Sequence, residues 1–374
     1  MNNKIKPFLV IVLIFSMLFS TCTFAAEDDL NRMIQASAKS LKASFESKEK
    51  NILSDEKILP AANSASDWVA MVLAFAGEKD SYENYLKRME AYVAEQYETQ
   101  GYLDDVKATE YHRIALTMLA LGGDPSNIQT EHGSINLVAD GTWNFCGGSP
   151  GEQGSNGLIY ALLTLEAKDT LLPTEQEAFR DSLINALLEY QETDGGFALN
   201  ASFGADIDMT AMAVQALAPY QEQTNVKEAL EKALDWISGN IFETTNSEAI
   251  SQTILALCAM GIEPETDTRF INGEQTLLDE LNRFRTEDDR YMHELQNGTS
   301  NLVATYQALL ALEAVSRLRT EGNWIFDFDS YVFSEELNAS GGNKAVIIVP
   351  AVILVGVITA MIVFKGKQKK TQNA

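Results

Sequence analysis

Gln191-Glu192-Thr193-Asp194-Gly195-Gly196-Phe197, followed nine residues on by Asp206-Ile207-Asp208-Met209-Thr210-Ala211-Met212-Ala213-Val214-Gln215-Ala216-Leu217, decides the fold of this chain. Paired glycines make a sharp turn, because glycine adopts positive φ without steric cost. The segment after the turn opens with two carboxylates and then becomes almost wholly apolar. A short helix that is apolar on every side belongs inside a protein. Its polar N-terminal end is therefore where binding or chemistry would sit.

Five other segments have the same character: Asp67 to Ala76, Tyr111 to Leu121, Asn156 to Leu165, Glu248 to Leu257 and Asn301 to Leu312. Aligned on Ala74, Ala120, Thr164, Ala216, Ala256 and Ala311, the six recur at intervals of 46, 44, 52, 40 and 55 residues. Between them, Tyr82 to Tyr97, Glu175 to Tyr190, Val226 to Ile241 and Gln275 to Phe284 carry apolar residues three and four apart, the pattern of helices with one buried stripe. Pro125 to Gly154 is the least regular stretch and leaves room for only a short outer helix. A helical solenoid has a similar repeat length, but it needs two one-faced helices per repeat. Here one helix of each pair is apolar all round. The pattern predicts an all-α fold, an (α/α)6 toroid with six inner helices inside an outer ring, over residues 64–320. Residues 27–63 read as a charged helix and linker.

The two ends give an address. Lys4 and Lys6, the apolar run Pro7 to Phe19 and Thr23-Phe24-Ala25-Ala26 make residues 1–26 a secretory signal peptide. Cys22 sits in a poor lipidation motif, behind a threonine. Residues 345–364 are uncharged and long enough to span a bilayer, and Lys365, Lys367, Lys369 and Lys370 hold the tail, residues 365–374, in the cytoplasm. Residues 321–344 read as a juxtamembrane linker. The expected location is the cell membrane, single-pass, with the ectodomain outside and the membrane engaged through the C-terminal helix. All 53 acidic residues, against 21 of the 28 basic ones, fall between positions 27 and 340, a net charge of −32. Such a surface repels nucleic acid, and it also serves as a solubilising coat. After cleavage only Cys146 and Cys258 remain, enough for one disulfide at most.

In the same alignment the polar N-terminal halves of the inner helices converge on one mouth. Glu110, Arg113, Asn156, Asp206, Asp208, Glu248, Gln252 and Gln307 are the candidate ligand-binding residues there. The register also puts Ser66, His112 and Val303 level with Asn156, Asp208 and Glu248, and Tyr160 level with Gln252 and Gln307 four positions further on. Helix capping explains Asp67, Thr109, Ser155, Asp208, Ser247 and Asn301 equally well. It explains Glu110, Arg113, Gln252 and Gln307 less well, since these lie inside their helices. The loop aromatics Tyr102, Trp143, Phe145, Phe197 and Tyr291 are expected to pack between repeats. His112, His132 and His293 lack metal-ligand spacing, and no phosphate loop, dinucleotide fingerprint, nucleophile elbow or EF-hand loop occurs.

Gln191 to Phe197 resembles the repeat signature of the terpenoid cyclase and protein prenyltransferase α/α-toroid superfamily. Asp206-Ile207-Asp208-Met209-Thr210-Ala211 is similar to the aspartate box of squalene–hopene cyclases, whose middle aspartate protonates an alkene and matches Asp208 here. Met209 replaces the aspartate that follows in that box. The prenyltransferase zinc site has no counterpart, since its cysteine is absent and Ala304 stands where its histidine would fall. Thr109 to Arg113, Gln153 to Gly157, Asp206 to Ala213 and Asn246 to Gln252 resemble segments of secreted bacterial members, and Asp208 to Ala213 resembles repeats of cobalamin carriers. The resemblance implies cobalamin as one candidate ligand; otherwise no cofactor and no metal is expected.

Three functions fit this reading. One is a surface protein binding a small-molecule or peptide ligand at the mouth. The second is a cyclase-like enzyme using Asp208 as general acid. The third is a structural or protein-interaction module. The incomplete acid box favours binding over catalysis, and an aspartate at a helix N-terminus is expected to stay ionised at neutral pH.

Overall fold

The computed structural model describes residues 29–339. The expected signal peptide (residues 1–26, with Cys22), the expected membrane span 345–364 and the expected cytoplasmic tail 365–374 lie outside the described residues. Among the described residues, no helix is long and apolar enough to cross a membrane.

The fold is mostly helical. Six helices carry the apolar sequences: α2 (Ser64–Phe75), α4 (Ala108–Ala120), α6 (Ser155–Leu165), α8 (Ile207–Leu217), α10 (Ser247–Ala259) and α12 (Leu302–Glu321). In α10, residues Ala249 to Ser251 and Thr253 to Cys258 are buried without a break, so the helix has no solvent face over most of its length. These helices pack in sequence, α2 on α4, α4 on α6, α6 on α8, α8 on α10 and α10 on α12, and α12 packs back on α2. The contact order is circular.

The alternate helices are α1 (residues 29–43), α3 (Tyr82–Gln100), α5 (Leu137–Gly141), α7 (Glu177–Leu188), α9 (Thr224–Asn240) and α11 (Leu277–Asn282). All but the five-residue α5 bury one stripe. In α9 the buried residues are Val226, Ala229, Leu230, Ala233, Leu234 and Ile237, spaced three and four apart, with charges on the other face. The irregular stretch after α4 holds the five-residue α5 and a two-stranded antiparallel hairpin, Ile128–Thr130 with Gly133–Ile135, in which Ile128 pairs with Ile135.

Helix α1 is more than a leader to the ring. Leu30, Ile34, Ala38 and Leu41 are buried in the same core as the inner helices. Gln35 Nε2 donates to Ala76 O (2.6 Å), at the end of α2, and Ser37 Oγ donates to Asp289 O (2.7 Å), in the loop before α12. The helix therefore occupies the outer position between α12 and α2. Buried Asp80 fastens the linker that follows: it accepts from Ile52 N (3.2 Å), Leu53 N (2.9 Å) and Ser81 N (2.8 Å) and pairs with Lys42 Nζ at 2.8 Å.

The glycine turn works as its sequence implies. Gly195 has φ +107°, and a Cβ there would lie 2.6 Å from Lys232 O; a Cβ on Gly196 would meet Ala205 and Trp236. Phe197 is fully buried, and its N–H donates to Thr210 Oγ1 (2.9 Å) inside α8. The same device recurs before α12. Arg285 bridges Tyr291 as Gln191 bridges Phe197, Asp289 takes the positive φ at +64°, and Tyr291 N donates to Thr305 Oγ1 (3.0 Å).

Residues 322–339, expected to form a linker, cross the C-terminal ends of the inner helices as a strap. Phe328 N donates to Ala167 O (2.8 Å) beyond α6, Tyr331 Oη to Ala120 O (3.1 Å) at the end of α4, and Phe75 at the end of α2 meets Tyr331 edge-on at 5.3 Å. Arg317 holds the strap from α12, donating to Ile325 O (3.0 Å), Asp327 O (2.7 Å) and Ser330 Oγ (2.9 Å). Cys146 is exposed and Cys258 buried, and both are free thiols.

Candidate functional site

The starts of the inner helices gather on one face, stitched from helix to loop. Ser155 Oγ, at the first residue of α6, donates to Ala198 O (2.8 Å) in the loop before α8. Ser247 Oγ, at the first residue of α10, donates to Met292 O (2.7 Å) in the loop before α12. These two serines tie repeat to repeat and do not cap. The caps stand one or two residues earlier than the sequence reading had them. Asp206 Oδ1 accepts from Met209 N (2.7 Å) and Asn246 Oδ1 from Ala249 N (2.8 Å), where Asp208 and Ser247 were expected. Asn301 caps α12 as expected, accepting from Ala304 N (3.1 Å). Asp67 lies in the first turn of α2 with its carboxylate turned inward, and Thr109 makes no cap on α4.

Residues four apart share a helix face. Asn156 and Tyr160, Asp208 and Met212, and Glu248 and Gln252 are half-buried pairs on helices that are otherwise buried; Val303 and Gln307 on α12, and Trp68 on α2, continue the set. Trp68 stacks on Tyr306 at 6.3 Å and lies 6.4 Å from Tyr160. Helices α2 and α6 are separated by α4, so the Trp68–Tyr160 contact crosses the ring interior. Phe326 of the strap reaches Trp68 from beneath, at 6.4 Å. A chain of amides spans three helices: Gln215 Nε2 donates to Gln252 Oε1 (2.8 Å), and Gln252 Nε2 donates to Gln307 Oε1 (3.1 Å). The interior thus has an aromatic wall on one side, an amide wall on the other and an aromatic floor.

The rim is acidic. Asp208 is half-buried, and its Oδ1 is out of reach of water with no hydrogen-bond partner. Burial, then the charges of Asp206 and Glu248, push its carboxyl up to about 6, against a smaller pull from His293. Desolvation outweighs the helix N-terminus here, so Asp208 is less firmly ionised than expected, though still mostly anionic at pH 7. Glu248 Oε2 lies 2.8 Å from His293 Nδ1, and this bond raises the imidazole above its ordinary value. Burial and then the Glu248 charge lift the Tyr306 phenol to about 12.

Of the other predicted site residues, Arg113 is committed elsewhere. Its Nε lies 2.8 Å from Asp67 Oδ2, its Nη1 2.9 Å from Glu110 Oε2, and its Nη2 donates to Ala62 O (3.0 Å). Tyr85 Oη also donates to Asp67 Oδ1 (2.7 Å), and burial, outweighing Arg113, holds the Asp67 carboxyl near 6. Arg113 and Glu110 therefore form one buried-to-rim ion network with Asp67. Ser66 and His112 are buried outside the interior: His112 Nε2 lies 2.8 Å from Gly141 O, and burial lowers its pKa to about 4. In the first two helices the half-buried residues are instead Trp68 and Glu110, two positions after Ser66 and two before His112. Asp206 is exposed at the mouth and Asn156 is half-buried there.

Sequence reading put Tyr160 level with Gln252 and Gln307 but missed Trp68, Tyr306, His293 and Phe326. An aromatic in the second turn of α2, α6 and α12 was the signal available. A cleft of about 600 Å³ beside the mouth is lined by Arg285, Asp288, Arg290 and Ser300 among others, but its arginines are paired, Arg285 with Asp289 (2.6 Å) and Arg290 with Asp288 (2.5 Å). Among the described residues, no group of three or more histidine, cysteine, aspartate or glutamate side chains is arranged to hold a metal ion. No protein-family model matches the chain, and neither does any curated protein or solved structure.

Proposed function

We propose that this chain is a cell-surface binding protein, an (α/α)6 toroid of the terpenoid cyclase and prenyltransferase type, that takes a small-molecule or peptide-like ligand into the mouth of its inner ring. The address, an exported ectodomain on one C-terminal membrane helix, rests on the sequence of the two ends. The toroid reading is supported by the circular contact order and by the alternation of buried and one-faced helices.

One observation carries the binding reading. Tyr160, Met212, Gln252, Gln307 and Trp68 keep partial access to solvent deep in helices that are otherwise buried. Apolar side chains with a few converging polar groups are the composition of a ligand pocket. The test uses the neutral fluorescent probe N-phenyl-1-naphthylamine on the full-length chain. Enhanced emission is expected, and Gln252→Trp, which fills the interior, should abolish it. Unchanged emission in that variant would mean that the probe, and the site, lie elsewhere.

The raised carboxyl of Asp208, whose Oδ1 has no hydrogen-bond partner, favours a second reading, an enzyme that protonates an alkene at acidic pH. Turnover of a polyprenoid by the full-length chain, lost in Asp208→Asn while probe binding persists, would replace the binding reading with that one.

A further inference from the structure

We propose that the ligand of the mouth is an organic ammonium ion, its charge met by Asp208 and Glu248 and its alkyl groups by the faces of Trp68, Tyr160 and Tyr306. This rests on the binding reading above and names its ligand class. Three observations converge.

The first is the unmet carboxylate. Asp208 Oδ1 is shielded from water without a partner, although its helix is already capped by Asp206. A buried acceptor left unpaired costs about 1–3 kcal/mol, so the fold gains nothing from it as it stands. A cationic donor would complete it.

The second is the aromatic wall. Trp68 meets Tyr306 at 6.3 Å and Tyr160 at 6.4 Å, and Tyr306 precedes Gln307, whose amide is bonded to Gln252, one turn along α10 from Glu248. Aromatic faces next to carboxylates are the surroundings that hold alkylammonium groups, since the ring quadrupole attracts the spread charge.

The third is the balance of charge. The groups facing Asp208 are Asp206, Glu248 and His293, so the rim stays net negative even with His293 protonated. Arg113, whose charge reaches Tyr160, is neutralised by Asp67 and Glu110. Gln252 and Gln307 are bonded to each other and complete the opposite side without charge. The chain's net charge of −25 draws cations toward such a mouth.

The proposal sets the sign of the pH response. Protonating Asp208 removes the partner, and protonating His293 adds a competing cation at the same rim. Both weaken ammonium binding as pH falls through the acid range.

The experiment is a tryptophan-fluorescence titration of the full-length chain with choline and with its neutral isostere 3,3-dimethylbutan-1-ol. Choline is expected to bind and the alcohol to bind at least roughly tenfold more weakly, a difference of about 1.4 kcal/mol. Choline affinity should fall by a similar factor from about pH 7.5 to about pH 5 and in Asp208→Asn, with Asp208→Glu restoring part of it. Nα-acetyl-lysine amide, run beside choline, separates a peptide side chain from a free ammonium; preference for either keeps the class and names its source. Equal binding of the alcohol, or choline binding indifferent to Asp208→Asn, overturns the proposal. If the naphthylamine probe still enters and Gln252→Trp still excludes it, only the ammonium class falls; if no probe enters, the binding reading falls with it.

Discussion

Glu313 is the residue whose chemistry is least accommodated by the fold. It sits on α12 with 9% of its surface exposed, and its Oε1 has no hydrogen-bond partner. Burial alone pushes its carboxyl up to about 8, with Tyr331 of the strap as its titratable neighbour. A carboxyl raised in the folded state stabilises the fold fully below its ordinary value near 4.5, and that contribution is lost as pH rises through about 8. Glu313→Gln keeps the shape and removes the titration. It should leave the stability nearly unchanged at about pH 5 and raise it increasingly toward about pH 8.5, by on the order of 3 kcal/mol, read as a growing offset in melting temperature. A variant offset that does not grow with pH would mean that Glu313 reaches water. Its burial was hidden in the sequence for a simple reason. The apolar run stops at Leu312, and a charged residue just after such a run reads as a helix end. The helix instead continues to Glu321, because the strap covers its last turns. The mouth shows the same limit. Gln252 and Gln307 were recognisable as polar residues inside apolar helices, whereas Arg113 looked identical in kind and is held by Asp67, a partner 46 positions earlier that no local pattern announces.

At the scale of elements, the alternation of all-round apolar and one-faced helices was legible because each helix type carries its own periodicity. The strap was not. Trp324, Phe326, Phe328, Tyr331 and Phe333 have no helical spacing, and only their density, too high for a solvated linker, marks a buried segment. Arg317 turns this irregular chain into structure. It is 7% exposed and saturates two strap carbonyls that have no helix or sheet to bond to. A buried, charge-assisted hydrogen bond contributes about 1.5–3 kcal/mol, and removing one partner strands the other. Arg317→Met should therefore destabilise the protein by roughly 3 kcal/mol and shift Trp324 emission to the red as the strap loosens. Because Phe326 is the floor beneath Trp68, the same variant should weaken probe binding at the opposite mouth. Destabilisation without any change in Trp324 emission would show that Arg317 acts on Glu321 alone.

At the scale of the whole molecule, the N-terminal segment covers the junction where α12 packs back on α2. Sequence alone separated residues 27–63 from the repeats, since the contacts that incorporate them lie far off in the chain: Ser37 with Asp289, Lys42 with Asp80, Arg88 with Leu53 O. Counted with α1, each of the six inner helices is preceded by an outer one. Without it, α2 and α12 would expose the apolar surfaces that now meet Leu30, Ile34, Ala38 and Leu41. Burying four such side chains is worth several kcal/mol, at about 1.5–3 kcal/mol for a large aliphatic one, which is a large part of the net stability of a domain. Buried Asp80 would also lose its ion pair with Lys42 and two of its three backbone donors. A chain beginning at residue 64 should therefore fail to give a cooperative melt, while one covering residues 27–339 should melt cooperatively with the helical circular dichroism of the full chain. Supplying residues 27–63 as a separate peptide should restore part of that transition, because the missing contacts are side-chain and backbone bonds that need no covalent continuity. A chain beginning at residue 64 that melts as sharply and as high as the longer one would make α1 an appendage, and the ring would then be closed by α12 against α2 unaided.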